Sequence, residues 1–296
     1  MGLLSFLHRF GRVLALAEQA LRDVTGAGLE PESFERWLAF RWQAERGPGR
    51  LAAIESPASF DLDDLIGVDA ALARFVANIE QFVLGLPSNN VLLHGERGTG
   101  KSSAVQGVLE RFGGQGLRLV EVRREDLCEL PRVLQALRED AGRHRFLIFC
   151  DDLSFGAGEA GFRELKAALE GTLDAPPQNV RIVATSNRRH MLAESMAENR
   201  EVRLDDAGEL QLGEALEEKL ALSDRFGLVI GFYAFTQPVY LEIVAHYLEQ
   251  AGFELSAGAR EEALRWTLVR GSRSGRMARQ FVDDYVGRAR LKATRG

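Results

Sequence analysis

The 296-residue chain is 46% hydrophobic and 27% charged, with a formal net charge of −6, the balance of a soluble globular protein able to bury at least one sizeable core. Its acidity argues against nucleic acid coating the whole surface, although a local basic strip stays compatible with it. Two cysteines, Cys128 and Cys150, lack C-x-x-C spacing or a nearby His, which argues against a disulfide scaffold and a zinc site.

From Leu3 to Val24 the apolar residues Leu3, Leu7, Phe10, Leu14, Ala17 and Leu21 recur every three or four positions, which predicts an amphipathic packing helix. Early charges and the absence of a small-residue cleavage site argue against a leader, so the reading is a cytoplasmic protein without a membrane span. A second helix is expected over 32–44 from Phe34, Trp37, Leu38, Phe40 and Trp42, ended by Gly47-Pro48-Gly49. Residues 1–50 thus read as a helical accessory module. Its aromatics suit core packing better than a partner-binding face.

Beyond this module strands alternate with helices, as in an α/β protein with a parallel sheet covered on both faces. Five strands are expected at 91–94, 117–122, 146–150, 180–185 and 228–232. Helices are expected at 68–84, 101–112, 131–141 and 160–172. Three more follow at 238–251, 257–270 and 275–291, punctuated by Gly252 and by Gly271-Ser272-Arg273-Ser274. Ligands in such sheets sit at the carboxyl ends of the strands, so the residues after each strand are the candidates for function.

After the first strand comes Gly95-Glu96-Arg97-Gly98-Thr99-Gly100-Lys101-Ser102, a complete G-x-x-x-x-G-K-[ST] loop, followed by Ser103 and a helical pattern. The glycines let backbone N–H groups turn inward around phosphates at a helix N-terminus. Lys101 is placed to reach the β- and γ-phosphates, and Ser102 to join a Mg²⁺ shell. The third strand is an apolar run ending in Asp151-Asp152. Asp151 reads as the Mg²⁺-side carboxylate and Asp152 as a base or water-positioning group, the alternative being two turn formers. The fourth strand ends in Ala184-Thr185-Ser186-Asn187, with Asn187 a candidate amide beside the γ-phosphate or simply a turn residue.

In that order and spacing the motifs resemble the AAA+ superfamily of P-loop ATPases over residues 58–291. Gly95–Ser102 resembles its Walker A loop, the 148–152 stretch its Walker B, and Asn187 falls at its sensor 1 position. The Phe60–Gly67 segment resembles its adenine-pocket stretch, which implies nucleotide contacts from Leu65, Ile66 and Gly67. Leu222-Ser223-Asp224-Arg225-Phe226 resembles the arginine-finger segment, implying that Arg225 acts in trans on a neighbouring copy; its alternative is a surface salt bridge with Asp224 or a nearby Glu. Ser274-Gly275-Arg276 resembles the opening of a sensor 2 helix, with Arg276 swinging onto the phosphates. The Cys-Asp-Asp-Leu-Ser-Phe stretch resembles a bacterial family of predicted ATP-binding proteins of unassigned function. The resemblance implies an AAA+-type five-stranded parallel core over 58–236 and a helical lid over 237–296.

Asp152 stands where that superfamily commonly has Glu, which points to slow, switch-like use of ATP. The implied function is a Mg²⁺-dependent ATPase that remodels or loads a macromolecular partner, with the chain a candidate homo-oligomer. A nucleotide-dependent binding module that scarcely hydrolyses is the second class. A nucleic-acid-associated loader is the third, favoured by the Asp-Asp pair and by Arg270, Arg273, Arg276, Arg279, Arg288, Arg290 and Arg295, and opposed by the net acidity. Arg188 and Arg189 are weaker cationic candidates than Arg225. The acidic 194–218 stretch reads as a solvated connection, and the absence of Asn-Lys-x-Asp argues against a GTPase.

Overall fold

A computed structural model describes residues 31–44, 49–138, 140, 143–153, 160–170, 177–187, 203–204, 210–211 and 224–295. The helix expected over 3–24, Arg188, Arg189 and most of 194–218 lie outside these residues. The strands are β1 (Ala39–Gln43), β2 (Arg50–Ile54), β3 (Val91–Gly95), β4 (Leu117–Glu121), β5 (Arg145–Cys150), β6 (Val180–Ser186), β7 (Arg203–Leu204), β8 (Leu210–Gln211) and β9 (Leu228–Phe232). The helices are α1 (Pro31–Arg36), α2 (Asp69–Val83), α3 (Lys101–Phe112), α4 (Leu130–Arg138), α5 (Ala160–Glu170), α6 (Gln237–Gln250), α7 (Ala257–Arg270) and α8 (Gly275–Arg295).

Seven strands form one sheet in the order β2-β1-β4-β5-β6-β3-β9, and β7 pairs with β8 separately. Every neighbouring pair in the large sheet is parallel except β1 with β2. The five expected strands are therefore present, but the sheet is mixed and has seven. The two additional strands correct the helix expected over 32–44, which ends at Arg36. Phe34, Trp37 and Leu38 keep helical spacing, whereas Phe40 and Trp42 alternate with Arg41 at the period of a strand. Both aromatics are buried, while Arg41 turns the other way and its Nε donates to Glu121 Oε2 of β4 at 2.6 Å.

Strand alternation sorts the core onto two faces of the sheet. Val91, Leu93, Leu147, Phe149, Val183 and Ile230 pack with Phe75, Ile79 and Phe82 of α2 and with Val105, Val108 and Phe112 of α3. Leu92, Phe146, Ile148, Cys150, Ile182 and Ala184 face the other way, toward Leu130, Val133 and Leu137 of α4 and Leu165 of α5. With both faces covered, the central strands read as continuous apolar runs, which is why they were legible. Parallel pairing brings the carboxyl ends of β3, β5 and β6 together at one end of the sheet.

The three C-terminal helices join the first of these cores through Tyr240, Leu241, Val244 and Leu248 of α6, Ala263 of α7, and Phe281, Val282 and Val286 of α8. Ser256 caps α7, its Oγ accepting from Ala259 N–H at 3.2 Å, and Gly271 ends that helix in the left-handed region. No helix among the described residues is long and apolar enough to cross a membrane.

Candidate functional site

The phosphate-type loop begins where β3 passes closest to β9. Gly95 has φ 137, and a Cβ there would lie 1.8 Å from Phe232 O, so only glycine permits this strand to leave the sheet so tightly. Gly98 has φ 77, and a side chain at that position would overlap Ser274. Thr99 Oγ1 donates to Glu96 O at 2.8 Å, closing the turn. Gly100, left-handed, then caps α3, so the first-turn N–H groups of a 12-residue helix face the cleft with the positive end of its dipole.

Lys101 is buried, and its ammonium donates to Gly95 O at 2.8 Å, Glu96 O at 2.7 Å and Asn187 Oδ1 at 3.3 Å. Burial lowers its pKa, while Asp151 and then Asp152 pull it back up. The Ser102 hydroxyl donates to Asp151 Oδ1 at 2.9 Å. Asp152 adopts φ 52, the one positive value at a non-glycine position among the described residues. Its carboxylate accepts from Asn187 Nδ2 and lies 3.5 Å from Arg97 Nη2. Sequence positions scattered over 95–187 thus converge at one end of the sheet.

A cleft of about 700 Å³ runs from these residues to the C-terminal helices. At its other end Leu65 and Ile66 line it with Phe235, Ile243 and Tyr247, a mostly apolar wall suited to a nucleobase. Leu65 packs onto the loop at Gly100, whereas Gly67 turns away behind the wall and packs against Val239 of α6. Arg276 and Arg279 of α8 also line the cleft, and Arg279 lies over the Tyr247 ring at 5.1 Å from its centroid. Arg97, Gly98, Thr99, Gly100, Lys101, Ser102 and Ser103 line the phosphate end, while Gly95 and Glu96 contribute the carbonyls that hold Lys101.

Arg225, like Gly67, does not line this cleft. It pairs with Glu170 and lines a second hollow with Asn89, Asn90, Val180 and Gly227, at the amino ends of β3, β6 and β9. Four further residues build the site, all inside segments the sequence points to though not named there as site residues. Thr185 is a buried hydroxyl near the end of β6, and Ser274 is buried just before α8, where Gly275 N–H donates to Gly98 O at 2.9 Å. Asp64 joins them at the apolar end, where its Oδ1 meets His246 Nε2 at 2.6 Å and accepts from Gln250 Nε2 at 2.7 Å.

The donor set suits a hard divalent cation. Ser102 Oγ and an Asp151 carboxylate oxygen are already adjacent, and no cluster of three or more His, Cys, Asp or Glu exists among the described residues. Such a pair suits Mg²⁺, which is commonly held through one or two protein oxygens together with substrate phosphates.

A family model described as "Protein of unknown function (DUF815)" matches residues 35–289. No curated protein sequence matches the chain. Among solved structures, the Aeropyrum pernix Orc1 protein in complex with DNA aligns at 16% identity and a TM-score of 0.51, covering 78% of this chain and 61% of that one. The Thermotoga maritima RuvB Holliday junction branch migration motor aligns at 14% identity and a TM-score of 0.43, covering 75% and 71%. The chain therefore spans less than two thirds of that Orc1 protein, and the likeness establishes a fold: α/β, of the AAA+ P-loop type.

Proposed function

We propose that this chain, which belongs to the DUF815 family, binds ATP and hydrolyses it to ADP and phosphate, using the cycle to remodel or load a macromolecular partner. The observation that carries this reading is the convergence of Lys101, Ser102, Asp151, Asp152 and Asn187 at one end of the cleft. Each group suits one task in phosphoryl transfer. The backbone N–H groups of the loop and the α3 dipole hold the phosphates, and Lys101 exchanges its loop carbonyls for the β- and γ-phosphate oxygens. Ser102 and Asp151 would hold Mg²⁺, which would supply positive charge against the charge that develops on the phosphates. Asp152 accepts a proton from the attacking water as its oxygen bonds to the γ-phosphorus and the bond to the β–γ bridging oxygen breaks. Asn187, tethered to both Asp152 and Lys101, orients that water.

Residues 58–236 act as the catalytic core and 237–296 as a lid. Arg276 reports the phosphates to α8 because it stands in that helix's first turn at the cleft. Arg225 serves a neighbouring copy, a role supported by its place at the other end of the sheet from its own cleft. A second reading, a nucleotide switch with slow turnover, is favoured by Asp152, whose short carboxylate is held by Arg97 and Asn187.

The deciding experiment is ATP turnover per subunit across a range of protein concentrations with Mg²⁺, alongside native mass with and without a non-hydrolysable analogue. Turnover that rises with ATP-driven assembly supports a shared-site ATPase. Tight binding with negligible, concentration-independent turnover supports the switch, and an absence of ATP binding overturns both.

A further inference from the structure

Thr185 is almost fully buried, with 1% of its surface exposed, at the end of β6 between the strand that carries the loop and the strand that carries the two aspartates. Its register fixes this place: Thr185 stands opposite Leu93 of β3, and the preceding Ala184 stands opposite Cys150, the last residue of β5. A hydroxyl in so enclosed a position must be hydrogen-bonded, and it is bonded twice. Oγ1 donates to Asp151 Oδ1 at 2.5 Å and accepts from Asp152 N–H at 2.8 Å. The Thr185 carbonyl takes a third bond, from Leu153 N–H at 2.7 Å. One residue therefore holds three consecutive positions of the turn that follows β5.

Two consequences meet at the cation site. Asp151 Oδ1 accepts from Ser102 on the helix side and from Thr185 on the strand side, so the carboxylate is gripped between two elements. Asp152, with φ 52, occupies the left-handed region, which aspartate tolerates better than most residues but which still needs local hydrogen bonds to hold it. Its N–H bond to Thr185 Oγ1 ties it there.

We propose that Thr185 is a positioning residue for Mg²⁺·nucleotide: its hydroxyl orients the Asp151 carboxylate toward the cation while the same oxygen locks the turn that presents Asp152. This rests on the nucleotide reading given above. Supporting groups behind a metal ligand act in this way, and their loss weakens metal affinity by about 10- to 100-fold. Thr185→Val keeps the β-branched shape in the strand and removes both hydroxyl bonds. Thr185→Ser restores the oxygen.

The test is ATP affinity by titration calorimetry on the full chain, in EDTA and across a MgCl₂ series, with circular dichroism as the check on folding. Thr185→Val is expected to hold ATP in EDTA within about twofold of the parent while the Mg²⁺ midpoint for tightened binding rises at least about tenfold, and Thr185→Ser to return that midpoint to near the parent value. A purely structural role moves the EDTA affinity and the melting temperature together and leaves the Mg²⁺ midpoint in place. An unchanged midpoint in folded Thr185→Val, or no recovery in Thr185→Ser, overturns the proposal alone. Failure of the parent chain to bind ATP at all overturns the nucleotide reading and this inference with it. Should Thr185→Val not fold, Thr185→Ala is read by the same two criteria.

Discussion

Asn187 donates its amide Nδ2 to Asp152 Oδ1, and the oxygen of the same amide stands 3.3 Å from Lys101 Nζ. One side chain therefore connects the group assigned to the attacking water with the group assigned to the γ-phosphate. Asp152→Asn keeps the size of the side chain and leaves Lys101, Ser102 and Asp151 in place, but removes the proton acceptor. It is expected to retain ATP affinity within about twofold and to slow single-turnover ATP decay by about 10²- to 10⁴-fold, the usual contribution of a positioned base. Unchanged decay would transfer the role to another residue.

Lys101→Ala tests the other end of that connection. The ammonium is buried against Gly95 O and Glu96 O, with Asp151 and Asp152 supplying the opposing charge. Removing it withdraws the single cation of the loop best placed for the β- and γ-phosphates, a loss of about 3 kcal/mol or more for a desolvated charge-assisted contact and thus about 10²-fold or more in Kd. Equilibrium titration with Mg²⁺·ATP measures this directly, and ordinary affinity would remove the loop from the mechanism.

The loop was legible because its chemistry is local: seven consecutive peptide units and a following helix set the geometry, and spacing along the chain is spacing in space. Asp151 and Asn187 were legible for a related reason, since parallel strands buried on both faces deliver their carboxyl ends to one place. The stretch Phe34 to Trp42 was not, because its aromatics satisfy a helical period at the start and a strand period at the end, and pairing with β4 on one side and β2 on the other decides between them. Ser274 and Gly275 were read only as the opening of the helix that carries Arg276. Their value comes from docking on Gly98, a contact between segments remote in the chain. Gly67 shows the reverse case: it belongs to the expected segment, but its left-handed turn carries it behind the wall that Leu65 and Ile66 present.

Cys150 yields a pH prediction with a definite sign. Burial, and secondarily Asp151, pushes its thiol from 9.0 up to about 12. Below pH 9 the group is protonated in the folded and unfolded chains alike, so it adds no pH dependence. Between pH 9 and pH 12 the unfolded chain releases a proton that the folded chain keeps, so stability falls as pH rises through this window. The slope from this one group approaches about 1.4 kcal/mol per pH unit. Tyr240, also pushed up to about 12 by burial, adds to the loss above its ordinary 10.0. Denaturant unfolding of the parent and of Cys150→Ala across the window separates the two: the variant is expected to lose stability less steeply by about one proton, and parallel slopes would mean that the thiol does not titrate on unfolding.

Arg225 and its own cleft occupy opposite ends of the sheet, separated by the length of a five-residue strand, about 16 Å. A guanidinium anchored on Glu170 at the amino ends of the strands has no route to the phosphates of its own chain. If it stabilises charge on a γ-phosphate, it does so across an interface. Arg225→Ala is therefore expected to preserve ATP affinity within about twofold while reducing the concentration-dependent part of turnover by about 10³-fold, the contribution of an arginine supplied in trans. Mixing then distinguishes a shared site from a folding defect. Lys101→Ala subunits lack a working loop but keep Arg225, and Arg225→Ala subunits keep the loop but lack the arginine. In a mixed assembly some interfaces combine an intact loop with an intact arginine, so activity partly returns although neither variant is active alone. A mixture as inactive as its components would leave Arg225 as one half of an ion pair with Glu170.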